Sequence, residues 1–281
     1  MKKIVYILVL ISGFCAVGQE ASTIKYTSKN KGKFFVFWGG NRDSYAKSDI
    51  HFTGKNYDFT IKDAVAQDKP KGWHIDYLNP ARMTIPQTNF RMGYYFTDKY
   101  SVSIGVDHMK YVVTQNQKFN VDGTINLPLN EVGSSFNGVY NNTPVVMTDD
   151  FLKFEHTDGL NYVHAEIARM DDVSKWLKLP NTDKFQVNVT EGFGLGFLYP
   201  RTDSSLLGKE RHDDYHVAGI GVSAKAGLNF TFFKHFFIQT ELKGGYINMY
   251  DIKTTFSSED KATQTILFLE KTIVVGGIFR I

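Results

Sequence analysis

The chain has 281 residues, 42% of them hydrophobic and 22% charged, with a formal net charge of +3, which excludes a disordered chain and gives no electrostatic basis for binding nucleic acid. Aromatic residues make up 15% of the chain, and 24 Gly stand against 7 Pro, a mixture that favours strands and tight turns over helices. The only cysteine is Cys15, so a disulfide framework is excluded as well.

The first element is "MKKIVYILVLISGFCAVGQE", with Lys2 and Lys3 before an apolar run from Ile4 to Val17. Ala16-Val17-Gly18 fits the small-x-small cleavage rule, so residues 1–18 read as a secretory signal peptide, too short for a comfortable membrane span. Its removal takes away two Lys and no acid, lowering the formal charge from +3 to +1. A lipid anchor on Cys15 is the rival reading, but Phe14 is bulkier than the small residue usual before a lipidated cysteine. Residues 19–32 follow as an N-terminal periplasmic segment, and 33–281 read as one domain.

Within that domain, eight stretches carry strand periodicity: about 33–46, 87–97, 100–114, 160–171, 185–199, 216–233, 236–252 and 263–281. From Tyr100, Val102, Ile104 and Val106 share one face, while Ser101, Ser103, Gly105 and Asp107 share the other. From Phe185, the run Val187, Val189, Phe193, Leu195, Phe197 alternates with Gln186, Asn188, Thr190 and three glycines. The stretch 216–233 sets Ile220, Val222, Leu228 and Phe230 against Gly221, Ser223, Lys225 and Asn229. The last two stretches set Ile238, Leu242 and Tyr246 against Gln239, Glu241 and Lys243, and Leu267, Leu269, Ile273 and Val275 against Glu270 and Thr272. Links alternate between long (about 47–86, 115–159, 201–214, 256–262) and short (about 97–100, 172–184, 233–236). "TDKY" at 97–100, "TDKF" at 182–185 and "FKHF" at 233–236 recur as turns that re-enter a strand through an aromatic residue.

Alternation alone does not say which face is apolar, since a soluble lipocalin-like barrel turns its apolar face inward. The polar face here is Gly, Ser, Asn, Gln and charged residues, suited to a crowded interior. The strands are long enough to cross an apolar band of about 25 Å at a tilt. Phe96, Tyr100, Phe185, Phe232 and Phe236 gather near the short turns, and Tyr199, Tyr246 and Tyr250 near the long links. These features predict an all-β fold: an eight-stranded antiparallel transmembrane β-barrel with short periplasmic turns and long extracellular loops, closed because lipid leaves no edge unpaired.

The signal sequence, strand count, loop alternation and final strand "TIVVGGIFRI" together resemble small outer-membrane barrels of the outer membrane protein A/X/W type. "FFVFWGGNRDSYAKSDIHF", "GVDHMKYVV" and "FEHTDGLNYV" further resemble uncharacterised Bacteroidetes outer-membrane barrel proteins. The chain departs from the usual pattern in ending on Ile281, with Phe279 two places earlier on the same face. The resemblance implies export to the outer membrane, membrane lipid and the barrel-assembly machinery as partners, and a monomer without cofactor.

An eight-stranded barrel is filled by its own side chains, so no wide pore is expected. Arg91, Asp107, Glu166, Lys225, Glu241, Lys243, Glu270 and Arg280 fall on polar faces and form the candidate site, a network of paired lumen charges. An ion or proton path is the sharper alternative. Glu191 breaks the pattern by pointing at lipid, and a β-bulge near Gly192 is expected to re-aim it. His108, His156, His164 and His216, near Asp158, Asp213 and Asp214, have no metal-ligand spacing. Some barrels of similar type hydrolyse acyl chains with a His–Ser pair on the outer wall; no His-x-Ser occurs here, and hydrolysis is the alternative function. Asn41-Arg42, "KNYDFT" and "DKPKGWHIDY" offer a loop surface for an extracellular ligand. The glycosylation patterns at Asn142 and Asn188 are coincidental in a bacterial barrel. The expectation is a non-enzymatic outer-membrane barrel with a structural or surface-contact role.

Overall fold

Hairpin pairing between sequence neighbours builds most of the molecule. The computed structural model describes residues 29–72, 74–78 and 86–281. The leader expected at 1–18, and most of the 19–32 segment, lie outside the described residues. In chain order the strands are β1 (Phe34–Tyr45), β2 (Ser48–Gly54), β3 (Tyr57–Ala64), β4 (Ala66–Gln67), β5 (Thr88–Tyr95), β6 (Tyr100–Val113) and β7 (Lys118–Ile125). They continue with β8 (Gly138–Val146), β9 (Leu152–Asp172), β10 (Phe185–Leu198), β11 (Asp203–Leu206), β12 (Gly219–Phe232), β13 (Phe236–Lys253) and β14 (Lys261–Phe279).

Eight of these close into an antiparallel ring in the order β1-β5-β6-β9-β10-β12-β13-β14, with β14 pairing back to β1. They are the eight periodic stretches of the sequence, with β9 starting earlier than the 160 expected. Following register partners once round from Phe34, through Tyr94, Val102, Ile167, Phe193, Ala224, Gly244 and Leu269, returns to β1 at Ser44, ten residues further on. For this strand number that stagger corresponds to a tilt of about 40°.

The short turns are built in different ways. At 97–100, Thr97 Oγ1 accepts the backbone N–H groups of Lys99 (3.2 Å) and Tyr100 (2.8 Å), a turn closed by a short side-chain oxygen acceptor. At 233–235, both Phe233 (φ 52°) and Lys234 (φ 66°) sit in the left-handed region, the two-residue turn whose twist matches a hairpin. The second Thr-Asp-Lys copy closes a wider connection, in which Val173 N–H donates to Val187 O (2.9 Å).

The long links contain more structure than expected. β2, β3, β7 and β8 extend the sheet from β14, while β4 pairs with β6 and β11 with β9. Their alternation (Ile50, Phe52; Tyr57, Phe59, Ile61; Phe119, Val121, Ile125) buries one face in a core with Phe151, Phe154, Leu198 and Ile247. The result is a folded cap on the long-loop end. Its inward apolar side chains continue the lumen of the barrel, and its outer face carries Lys47, Asp49, Lys55 and Asp58. "KNYDFT" is therefore no free loop surface, because Tyr57 and Phe59 are buried in that core. Among the described residues no helix is long and apolar enough to cross a membrane.

Candidate functional site

Inward-facing positions of β5, β6, β9, β12, β13 and β14 meet at mid-height in the ring. Arg91 occupies the centre, 1% exposed. Its Nη1 lies 3.0 Å from Glu166 Oε2 and 3.6 Å from Glu241 Oε2, and its Nη2 lies 3.2 Å from Asp107 Oδ1. Lys225 Nζ contacts Glu166 Oε1 at 2.7 Å and also pairs with Glu241. Lys243, wholly buried, pairs with Asp107 and stands 3.4 Å from Glu270 Oε2. The structure thus brings together seven of the eight charged residues expected in the lumen. The eighth, Arg280, lies elsewhere: it is exposed beyond the end of β14 and donates to Lys31 O (3.0 Å). Past Phe279 the ladder has ended, so alternation no longer sets the side chain's direction.

Neutral groups complete the layer. Asn89 Nδ2 donates to Asp107 Oδ1 (2.7 Å) and Glu270 Oε1 (2.8 Å), and Gln239 Nε2 donates to Glu241 Oε1 (2.6 Å). His164 Nε2 lies 2.9 Å from Asp107 Oδ2. Asn89 and His164 escape a search for charges, yet each stands two residues from a network member on the same face, Arg91 and Glu166. Three cations, four carboxylates and one imidazole are thereby cross-linked from six strands, with each charge partnered as burial requires.

Apolar side chains pack on both sides of this network, beside polar chains that lead away from it: Gln239, Asn229 and Asn188 towards the short turns, and Asn41, Gln87 and Asp43 towards the cap. Towards the short turns lie Phe35, Phe37, Tyr95, Met170, Phe237, Val274 and Ile278, with Phe37 5.2 Å beneath the Arg91 guanidinium. Towards the cap, Tyr162 stacks on His164 at 4.5 Å and begins the larger core. Glycines on the inner face make room for the rings. A Cβ on Gly245 would meet the Phe268 ring at 2.3 Å, and one on Gly276 would meet Phe237 at 2.3 Å.

The other predicted positions are dispersed. His108 Nδ1 contacts Asn161 Oδ1 (2.7 Å), His216 pairs with Asp251 (2.7 Å), and His156 sits in the cap core against Thr202 (3.1 Å). Burial pushes the His156 imidazole down to about 3. Asn41 is buried and donates to Asn89 Oδ1 (3.0 Å), so of the Asn41-Arg42 pair only Arg42 faces out. Asp158 and Asp213 both bind Arg201, at 2.9 and 3.1 Å. Among the described residues no group of His, Cys, Asp and Glu is arranged to hold a metal ion. Trp73 and residues 79–85 lie outside the described residues.

Glu191 corrects an expectation. β10 pairs with β9 and β12 without any register shift, so there is no bulge at Gly192, and Glu191 stays on the outer face. Its Oε1 lies 3.9 Å from Arg169 Nη1, a residue that also holds Asp171 (2.6 Å) at the turn end. A long cation reaching to the interface answers the misplaced charge where a bulge was expected to.

No protein-family model matches the chain, and no curated protein matches it. Among solved structures it is similar to the outer membrane protein OprG from Pseudomonas aeruginosa, with 10% identity, a TM-score of 0.39, and 91% of this chain and 100% of that one covered. It is also similar to Ail, the attachment invasion locus protein of Yersinia pestis, with 9% identity, a TM-score of 0.28, and coverage of 87% and 99%. Neisserial surface protein A matches with 9% identity, a TM-score of 0.28, and coverage of 85% and 98%.

Proposed function

We propose that the chain is an outer-membrane β-barrel protein, exported by its leader, with a plugged lumen and a folded extracellular cap that serves a structural or surface-contact role without catalysis. One observation carries this reading: polarity inverts along single strands. In the upper part of β14, Lys261, Thr263 and Thr265 face out while Ala262, Ile266 and Phe268 face in. Lower down, Leu267, Leu269, Ile273 and Val275 face out, with Lys271 the one charge among them, while Glu270 and Thr272 face in ahead of Val274. A strand wholly in water has no reason to reverse, whereas a strand that leaves water for lipid must do so.

Around the ring the lower outer surface repeats the same signature. Ile104, Leu195, Leu267 and Ile273 are each 57% to 61% exposed, far more contiguous apolar area than a water-soluble surface carries. Exposed Phe34, Tyr94, Phe96, Tyr100, Phe236 and Phe279 ring the short-turn end, and Tyr199, Tyr215, Tyr246 and Tyr250 the cap end. They lie at the two ends of the outward apolar surface, as the aromatic girdles of an outer-membrane barrel do. The near-complete burial of all seven network charges, each held by a partner, favours a plug over a conduit.

The test is fractionation with the outer membrane, heat-modifiable migration on a gel, and a conductance measurement in a planar bilayer. Folded protein that stays in solution without detergent would overturn the reading, and stable single-channel steps would replace the plug with a channel. Leu228→Arg places a charge on the lipid face of β12, at a cost of about 2–4 kcal/mol near the midplane. The expected outcome is loss of most heat-modifiable protein from the membrane fraction.

A further inference from the structure

The seam where β1 meets β14 carries a like-charge pair on the outer wall. Arg42 and Lys271 are direct register partners across that seam. Both are exposed and both have the outward parity of their strands: Arg42 follows Trp38 and Gly40 on β1, and Lys271 stands between Leu269 and Ile273 on β14. Leu242, the partner of Lys271 on its other side, is half exposed and also faces out. The place of Arg42 is fixed independently by the 3-10 turn Ile75–Leu78, which lies on the same wall. Trp38 Nε1 donates to Tyr77 O (2.6 Å), and a Cβ on Gly40 would meet the Tyr77 ring at 2.9 Å. Arg42 Nη1 donates to the Tyr77 hydroxyl (3.3 Å).

Like charges set directly opposite each other across a ladder repel, and the chain does not answer this pair. Among the described residues neither Arg42 nor Lys271 has a carboxylate within ion-pair distance, and Lys271 makes no side-chain hydrogen bond. Along β1, and along β13 and β14 below the irregularity at Met249–Ile252, no outward position holds an acid. The outward cation of β9 is different, since Arg169 holds Asp171 (2.6 Å) and reaches Glu191 (3.9 Å). The surroundings of the seam pair are two-sided. On β1 it lies at the cap-side edge of the apolar wall, with only Ser44 facing out beyond it, and the Tyr77 hydroxyl stands beside it with a proton to donate. Towards the short turns the wall continues through Trp38, Ile273 and Val275, the last two 60% and 55% exposed.

We propose that Arg42, Lys271 and the Tyr77 hydroxyl bind the phosphate of one anionic lipid of the cap-side leaflet, whose acyl chain runs down the wall over Ile273 and Val275. The inference rests on the membrane reading above. A phosphate shared by a guanidinium and an ammonium forms charge-assisted hydrogen bonds to both. It turns the repulsion between β1 and β14 into a bridge across the pairing that closes the ring. A lipid of no net charge would leave the two cations in repulsion, and a free anion would forgo the apolar wall.

The experiment is native mass spectrometry of the full folded chain, released from a zwitterionic detergent, with equal amounts of phosphatidylglycerol and phosphatidylcholine of matched acyl chains. The heat-modification midpoint is measured in the same detergent. The expected result is a one-to-one adduct dominated by phosphatidylglycerol, and a midpoint that rises when that lipid is added. Lys271→Gln and Arg42→Gln should each reduce the preference about fivefold, the effect of one basic residue at a membrane surface. Lys271→Gln should also raise the midpoint in lipid-free detergent, where the repulsion is gone, and lose the rise that phosphatidylglycerol gives. A lysine with a merely structural role would not move the two readings in opposite directions. Lys55→Gln in the cap hairpin should change nothing. Heat-modifiable migration of each variant establishes that it is folded. Equal uptake of both lipids by a folded barrel, or an adduct indifferent to Lys271→Gln, overturns the site and leaves the membrane reading standing; a chain that shows no heat-modifiable form overturns the membrane reading itself. Displacement of the lipid by an equal concentration of inorganic phosphate would make the occupant a free anion and overturn the lipid assignment.

Discussion

Lys243 and Glu270 face each other across β13 and β14 as direct register partners, both fully buried. Removing the cation leaves Asp107 and Glu270 without it in a site closed to water. Lys243→Met should therefore lower the unfolding midpoint in detergent, at a cost of about 3–5 kcal/mol. Adding Glu270→Gln should recover part of that loss by discharging one of the stranded carboxylates. Lys55→Met in the exposed cap hairpin should leave the midpoint unchanged, since an exposed charge contributes little. Equal midpoints for Lys243→Met and wild type would mean that the lumen is hydrated. The register that makes this pair is the same one that lays Phe268 over Gly245, one step along the inner face. Charge pairing and ring packing therefore lock β13 and β14 in one alignment.

At the scale of elements, each strand carries the alternation that the sequence displays, and the turns decide how tightly neighbours join. The β12–β13 turn holds two non-glycine residues at positive φ, an unfavourable backbone for most side chains. Lys234→Val, a β-branched residue at φ 66°, should lower stability by about 1–2 kcal/mol. Lys234→Asn should cost little, because Asn tolerates this conformation. Both variants lose the exposed 2.8 Å pair with Asp183, so the difference between their unfolding midpoints isolates the backbone effect. Identical midpoints would show that the turn relaxes to another geometry.

The whole molecule divides by solvent. Below, a wall with an apolar outer face, lipid-facing in the proposed membrane orientation, surrounds polar pairs; above, a cap with a polar outer face surrounds an apolar core that holds His156. That imidazole titrates at about 3 in the folded cap, against about 6.5 when unfolded. Between those values the unfolded cap binds a proton that the folded cap refuses, so stability falls as pH drops from about 6.5 to about 3, by at most about 1.4 kcal/mol per unit. Hydrogen exchange of β3 and β7 at pH 7 and pH 4 should show this loss, and His156→Gln should flatten it; an unchanged slope would mean that other groups set the acid response. The folded cap also redirects proteolysis. Protease added to intact cells should cut the exposed connections at 68–72 and 128–137, sparing the β2–β3 hairpin and the turns at 97–100 and 233–235. Early cleavage within 48–64 would show that the cap is open.

The sequence by itself determined the eight ring strands, their outward and inward faces, and seven of the eight candidate lumen charges. Strand alternation has a period of two, so Arg91, Glu166, Lys225, Glu241 and Lys243 declare their face without any knowledge of partners. Only the tertiary structure decided the rest. Which carboxylate meets which cation depends on a ten-residue stagger accumulated around the ring, and no single strand encodes that sum. Asn89 and His164 joined the network because β5 and β9 flank β6 on either side, setting both beside Asp107, and closure of the ring then brought Glu270 of β14 to Asn89. The cap went unread because its strands are short and lie between turn-like segments, and their apolar faces acquire meaning only once β2 pairs with β14. Glu191 kept its outward place because Arg169 stands one strand away in register, a contact 22 residues distant in sequence. Local pattern fixes direction, which is a property of one strand; partnership is a property of the closed sheet, and the chain expresses it only by folding.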